Sequence, residues 1–142
     1  MAVRRDTAAK TAVKWNKIED VVGILRTMQD DMLARARDQV NAKFHKCTTW
    51  ADFMKTLDGR GVALIPWCGV TACEKGIKDK TARESKEQEE SSAEQAASGA
   101  QKLTGAAKSL NIPFDQPPLP AGCKCVGCDG AALQWAIFGR SY

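Results

Sequence analysis

Two pairs of cysteines, separated by about a third of the chain, constrain the fold of this protein more than any other feature of its sequence. One pair is Cys68-Gly-Val-Thr-Ala-Cys73, and the other lies within Cys123-Lys-Cys125-Val-Gly-Cys128. Four sulfur atoms supplied as two close pairs are the ligand set that a tetrahedral structural zinc ion takes. The spacing therefore predicts a domain that folds around one zinc ion.

Length and charge limit what surrounds that ion. A chain of 142 residues with 44% hydrophobic content suffices for one globular domain with a modest core. Residues 1–7 carry charge where a signal peptide needs apolar residues, and no apolar run reaches membrane-spanning length. We therefore expect a cytoplasmic protein, in which paired thiols serve as ligands and not as disulfides. The formal net charge of +4 is too small to indicate a nucleic-acid binder.

The first third of the chain shows a helical pattern. Its apolar residues recur at steps of three and four, which places them on one face of a long amphipathic helix or of two helices stacked end to end. Asn16 and Glu19 are spaced as a capping box at the start of this pattern, and an earlier start near Thr11 is equally allowed. The apolar positions are Trp15, Ile18, Val22, Leu25, Met28, Met32, Ala36, Val40 and Phe44.

Short elements then lead to the first cysteine pair. Thr49 followed by Asp52 is typical of a helix start, so we expect a compact second helix there. The apolar run 62–67 predicts a buried strand that ends next to Cys68. A third helix should begin near Cys73, where its free amides would favour the thiolate.

The second half of the chain predicts an insertion and two further strands. Residues 84–104 consist mainly of Glu, Gln, Ser, Ala and Gly, a composition typical of a flexible, solvated segment. Apolar residues then alternate over 110–114 and over 133–137, which indicates two strands with one buried face each. The predicted fold class is α/β, of the two-layer α+β kind, with a small mixed sheet packed against helices. The alternating residues are Leu110, Ile112 and Phe114, then Leu133, Trp135 and Ile137.

Five cysteines compete for four ligand positions. A Cys-x2-Cys turn directs backbone amides toward its sulfurs, which favours Cys125 with Cys128, and Cys123 with Cys125 is the alternative. His45 is expected to be a helix-terminal residue and Cys47 a small buried residue, because neither has a partner at ligand spacing. The predicted ligands are Cys68, Cys73, Cys125 and Cys128, with Cys123 as the alternative to Cys128.

Several further motifs, taken in order, give the chain a family resemblance. It resembles the C-terminal domain of eukaryotic and archaeal-type prolyl-tRNA synthetases, which are class II aminoacyl-tRNA synthetases. The ordered set covers nearly the whole chain and is specific at its end. The motifs are Val3-Arg-Arg-Asp-Thr7, Lys80-Thr-Ala-Arg83, Ala107-Lys-Ser-Leu-Asn-Ile-Pro-Phe114, Lys124-Cys-Val126 and Phe138-Gly-Arg-Ser-Tyr142.

The resemblance implies a structural role within a larger enzyme. Residues 1–7 would be the last strand of a preceding anticodon-binding domain, and residues 8–142 the zinc-binding domain. The parent enzyme would use ATP and magnesium to activate proline, charge tRNA(Pro), and form a homodimer. No residue of this chain would be catalytic, and the chain alone would be inactive. Phe138, Arg140 and the Tyr142 carboxylate would form a tail that docks toward the active site of the parent.

Two other functions are open to a chain of this kind. A free-standing zinc module that binds RNA would use basic residues interleaved with exposed aromatic residues. A zinc hydrolase would need an open coordination position with histidine or carboxylate ligands. A chain with several cysteines and one histidine does not favour the hydrolase, and its tryptophans lie in apolar patterns that do not favour the RNA module.

Overall fold

The structure is a computed structural model that describes residues 1–92 and 105–140, with the backbone alone at 88–92. The chain divides into two compact units, an N-terminal unit, Met1–Ala42, and a C-terminal unit, Lys43–Tyr142. The domain boundary that the sequence predicted after residue 7 of the parent enzyme stays a prediction. No helix in the described part of the chain combines the length and the apolar character needed to cross a membrane.

The N-terminal unit is a short hairpin joined to one helix. Strands β1 (Ala2–Val3) and β2 (Lys10–Thr11) pair antiparallel, and helix α1 spans Asp20–Asn41. Ion pairs connect the hairpin turn to α1, with Arg4 to Asp31 at 2.6 Å and Arg35 to Asp6 at 2.7 Å. These ion pairs connect residues 1–7 to α1 within the N-terminal unit. The assignment of residues 1–7 to an anticodon-binding domain stays a prediction.

Helix α1 is shorter and more exposed than its pattern predicted. It begins at Asp20, the expected Asn16 to Glu19 capping box is absent, and none of its residues is buried. Val22 and Leu25, from the predicted apolar face, are 51% and 53% exposed. The physical reason is that a hairpin with two residues in each strand offers little apolar surface for a 22-residue helix to pack against.

The described residues of the C-terminal unit form a four-stranded mixed sheet and two helices, so the predicted α+β class is confirmed. Strand order is β3-β4-β6-β5, with β3 and β4 parallel and the other neighbours antiparallel. The elements are β3 (Phe44–Lys46), α2 (Trp50–Asp58), β4 (Val62–Trp67), α3 (Thr71–Ser92), β5 (Ala107–Asn111) and β6 (Gln134–Arg140).

Helix α2 and strand β4 form where the sequence placed them. The Asp52 backbone N–H donates to Thr49 Oγ1 at 3.2 Å, which is the predicted N-cap. Aromatic side chains join α2 to the sheet, because the Phe138 ring lies 6.1 Å from Phe53 and 6.0 Å from Trp67, edge to face in both pairs. Phe138 is fully buried, so the last strand lies at the centre of this core.

Strand β5 begins three residues earlier than predicted and ends before Phe114, and it buries a different residue from those predicted. Leu110 and Phe114 are 53% and 106% exposed, whereas Ala107 is buried. The Ala107 N–H donates to the buried Thr81 Oγ1 of α3 at 2.9 Å, and the register with β6 shifts between Ser109 and Asn111. The small residue faces inward because α3 packs closely there, and the large apolar residues therefore face outward.

Helix α3 continues into the predicted insertion. It runs to Ser92, and its first residues within that segment contact the core. Glu84 accepts a hydrogen bond from Trp50 Nε1 at 2.9 Å, and Ser85 Oγ accepts one from Arg140 at 2.7 Å. The remainder of the predicted insertion, residues 93–104, lies outside the described residues.

Candidate metal centre

Three segments bring four cysteines together at one end of the sheet. Cys68 directly follows β4, Cys73 lies in the first turn of α3, and Cys125 and Cys128 belong to the loop before β6. The loop is attached to β4 by two backbone bonds, from Val126 N to Pro66 O at 3.1 Å and from Leu133 N to Trp67 O at 2.9 Å. The end of β4 thus positions both cysteine pairs.

The sulfur geometry fits a tetrahedral metal ion. All four Sγ atoms lie within 4.8 Å of one another. Cys73 Sγ is 3.6 Å from Cys125 Sγ, and Cys128 Sγ is 3.7 Å from Cys68 Sγ. A tetrahedron of sulfurs at the zinc–sulfur distance of about 2.3 Å has edges of about 3.8 Å. The residues present therefore suit a divalent ion of that size with no open position.

Backbone amides two residues beyond three of the cysteines point at the sulfurs. Gly127 N–H donates to Cys125 Sγ at 3.4 Å. Backbone hydrogen bonds from Val70 to Cys68 and from Gly130 to Cys128 also favour the thiolates. Such outer contacts orient metal ligands and stabilise their charge. The repeated geometry indicates a site organised for anionic sulfur.

Without an ion, the four thiols affect each other's titration. Burial raises the pKa of Cys73, and the neighbouring thiols raise it further. Burial also raises the pKa of Cys68, whereas the backbone bond from Gly130 lowers the pKa of Cys128. A metal ion competes with these protons, so its affinity should fall as the pH decreases.

Gly127 is the residue at the site that leaves no room for a side chain. A Cβ added there would lie 2.6 Å from Ile77 Cγ1 and 2.9 Å from Cys73 Sγ. Gly130, in the same loop, has open space by comparison, because its nearest neighbour would be Cys128 Sγ at 3.5 Å. The amide contact from Gly127 to Cys125 is the one that the Cys-x2-Cys turn predicted. Sequence reasoning missed the close packing at Gly127, although a glycine between two cysteines was a visible signal.

The other candidate ligands lie apart from the four sulfurs. Cys123 is half-buried and is not a member of the sulfur cluster, so the structure does not support it as the alternative to Cys128. His45 is exposed in β3 and not at a helix end, which corrects its expected position. Cys47 is 2% exposed and its Sγ lies 3.3 Å from Thr56 Oγ1, as expected for a buried cysteine.

The C-terminal residues predicted to dock elsewhere are partly engaged within the fold. Phe138 is in the core, and Arg140 makes an ion pair with Asp58 at 2.8 Å and a hydrogen bond with Ser85. Arg140 therefore joins α2, α3 and β6 within this chain, and its docking toward another domain stays a prediction. Tyr142 lies outside the described residues.

A mixed sheet with four cysteine sulfurs at tetrahedral spacing defines an α+β domain that could hold a metal ion. The chain matches the family described as "Prolyl-tRNA synthetase, C-terminal" over residues 50–142. This match covers well over half of the chain and begins within the C-terminal unit. The chain belongs to this family, and the resemblance drawn from its motifs is confirmed.

Similar proteins match beyond that segment. A putative proline–tRNA ligase of Saccharomyces cerevisiae is 36% identical over 143 residues, covering 100% of this chain and 20% of the relative. The proline–tRNA ligase of Encephalitozoon cuniculi is 36% identical over 141 residues, covering 99% of this chain and 26% of the relative. A bifunctional glutamate/proline–tRNA ligase of Drosophila melanogaster is 36% identical over 146 residues, covering 100% and 8%. The chain thus spans about a quarter or less of the length of these relatives.

Proposed function

We propose that this chain is the C-terminal part of a proline–tRNA ligase and that its four clustered cysteines hold one structural zinc ion. The observation that carries the proposal is the set of four sulfurs at tetrahedral spacing. The chain that holds them matches part of a proline–tRNA ligase over its own whole length. Four sulfurs fill the coordination of zinc, so the site has no position for a reacting water. This closed ligand set supports a structural role and argues against a hydrolase.

The zinc-holding residues connect segments that are distant in sequence. Cys68 lies at the end of β4, Cys73 lies in α3, and Cys125 and Cys128 lie in the loop that leads into β6. A bound divalent ion offsets half of the charge of four thiolates. Gly127 lets the loop before β6 pack closely against Ile77 of α3.

Replacing Gly127 by alanine is expected to weaken zinc binding by about 10-fold or more, the range seen when outer contacts of a metal site are disturbed. The added Cβ would clash with Ile77 and with Cys73 Sγ. Competition with a chromogenic chelator measures the affinity. Gly130→Ala is the matched control, because its Cβ meets only Cys128 Sγ at an ordinary distance of 3.5 Å. Equal affinities of the two variants would contradict this role of Gly127.

The chemistry belongs to the rest of the parent enzyme. The parent activates proline with ATP and magnesium and transfers it to tRNA(Pro), acting as a cytoplasmic homodimer. The names of the relatives support the amino-acid specificity. Thiol ligands suit a reducing compartment. No residue of this chain is assigned a catalytic role.

Binding of RNA by the C-terminal unit alone has little support from its tryptophans. Trp67 and Trp135 are buried, and Trp50 is half-buried beneath the Lys80 ammonium, which lies 3.8 Å from its ring centroid. Stacking of bases requires exposed rings. The tryptophans of the C-terminal unit therefore serve the core, and the RNA module is not the favoured function.

The end of the chain has a separate role in the parent. Phe138 and Arg140 fix β6 within the domain, and Tyr142 reaches toward the active site. The support is the strong anchoring of β6, whose Arg140 side chain is 6% exposed and bound to Asp58. A strand held in this way delivers its last residues in a defined direction.

Three proteins test this function together: the full-length parent, the parent lacking Ser141 and Tyr142, and the present chain alone. Proline-dependent pyrophosphate exchange and aminoacylation of tRNA(Pro) are measured for each. We expect activity in the first, a clear loss in the second with zinc content retained, and none in the third. Exchange by the present chain alone would contradict a structural role, and unchanged kinetics of the truncated parent would contradict docking of the tail.

A further inference from the structure

The four clustered sulfurs differ sharply in their access to solvent. Cys125 is 0% exposed, Cys68 is 8% exposed and Cys73 is 9% exposed, whereas Cys128 is exposed. A reagent in solution therefore meets one sulfur of the site before the other three. Metal-bound cysteines are thiolates, and the thiolate is the reactive form of cysteine.

The surroundings of Cys128 also supply a second thiol within reach. Cys68 Sγ lies 3.7 Å from Cys128 Sγ, while the second close pair, Cys73 and Cys125, is 3.6 Å apart and buried. Residues 128–130 form the exposed tip of the loop, where Asp129 has a φ of 58°. An exposed sulfur at a loop tip can move the short distance to a bonded neighbour more easily than sulfurs in the core.

We propose that Cys128 is an oxidative modification site at which hydroperoxides attack the metal centre. This inference rests on the proposed zinc function. The Cys128 thiolate attacks the hydroperoxide, the O–O bond breaks, and the products are the Cys128 sulfenic acid and water or an alcohol. The Cys68 sulfur then attacks the Cys128 sulfur, hydroxide leaves as water after protonation, and a Cys68–Cys128 disulfide forms. The two sulfurs are oxidised by two electrons in total and the peroxide is reduced by two.

This disulfide removes half of the ligand set. The two sulfurs that remain, those of Cys73 and Cys125, do not complete a tetrahedral site, so zinc is released. A thiol reductant reverses the change by attack on the disulfide. Because Cys68 directly follows β4, the modification reaches the segment that holds the loop against the sheet.

The other two cysteines do not fit this role. Cys47 is 2% exposed and contacts Thr56 Oγ1, away from the sulfur cluster. Cys123 is partly exposed, but it is not one of the four sulfurs that lie within 4.8 Å of one another. Cys123 is therefore a matched control for Cys128, because it is close to Cys128 in sequence but lies outside the sulfur cluster.

The test uses the zinc-loaded full chain and hydrogen peroxide. Zinc content is measured first, then zinc release is followed with a chromogenic chelator while samples are alkylated, digested and analysed by mass spectrometry. We expect Cys128 to be lost first, zinc to leave on the same time course, and the main cross-linked peptide to join Cys68 to Cys128. Dithiothreitol should restore zinc binding. First modification of Cys73 or Cys125, or a main disulfide between another pair, would overturn the proposal.

Two variants sharpen the result. Cys128→His keeps a zinc ligand without the reactive sulfur, so peroxide-driven release should slow by about 10-fold or more, whereas Cys123→Ser should release zinc at the wild-type rate. Fast release from Cys128→His would count against the proposal. If Cys128→His does not hold zinc, the peptide map of the wild type decides. A wild-type chain isolated without zinc and unable to bind it would contradict the proposed zinc function itself, before any peroxide is added.

Discussion

Replacement of Cys125 by serine is expected to abolish zinc binding and to unfold much of the C-terminal unit. Cys125 is fully buried, and it joins the loop before β6 to Cys73 of α3 through sulfurs 3.6 Å apart. A structural zinc ion contributes about 10–16 kcal/mol in small zinc domains at neutral pH. That is comparable to the whole stability of a domain, about 5–15 kcal/mol. Native mass spectrometry and thermal unfolding measure the two effects.

Two controls separate ligand loss from loss of a thiol. Cys123→Ser makes the same chemical change two residues away, outside the sulfur cluster, and should retain one equivalent of zinc. Cys47→Ser should also keep its zinc, although it alters a buried residue. If Cys125→Ser binds a full equivalent of zinc and melts like the wild type, the site has been assigned to the wrong residues.

Phe138→Ala is expected to destabilise the C-terminal unit by about 3–5 kcal/mol, the usual cost of removing a buried phenylalanine side chain. Phe138 is fully buried, and its ring packs edge to face against Phe53 of α2 and Trp67 of β4. Because Trp67 precedes Cys68, we also expect weaker zinc binding. Unfolding by urea with zinc held constant measures the free energy.

Phe114→Ala is the matched control for this change. The same atoms are removed from a side chain that is 106% exposed, and exposed substitutions usually change stability by less than about 0.5 kcal/mol. Similar losses of unfolding free energy for the two variants would show that the Phe138 contacts do not stabilise the core. A loss for Phe138→Ala alone would support its place in the core and separate that role from docking of the tail.

The sequence was most informative where ligand chemistry or local capping decides the structure. The spacing of the cysteines predicted the cluster at Cys68, Cys73, Cys125 and Cys128, because few other arrangements satisfy four close sulfurs. The Thr49 cap and the start of α3 near Cys73 depend on neighbouring residues, and both form as predicted.

Features that depend on distant residues were not predictable in the same way. The periodicity of α1 identifies an apolar face but not what covers it, and none of its residues is buried. On β5 the inward residue is Ala107, because Thr81 of α3 accepts its N–H, and no local pattern contains that contact. Arg140 meets Asp58 and Ser85 from two different helices. A charged residue near the end of a chain gives no local indication of such partners.

The pairing of β4 with β6 has a further consequence for the speed of folding. Leu64 of β4 lies opposite Ile137 of β6. This pairing closes a long connection that contains α3, β5 and the cysteine loop. The connection between the paired strands β3 and β4 is much shorter. Closing long loops costs entropy before contacts repay it, and such topologies fold slowly. One cysteine pair lies near the start of that connection and the other lies near its end. A zinc ion bound by one pair can therefore bind the other pair and bring the two ends together. We therefore expect the refolding rate to rise with free zinc concentration.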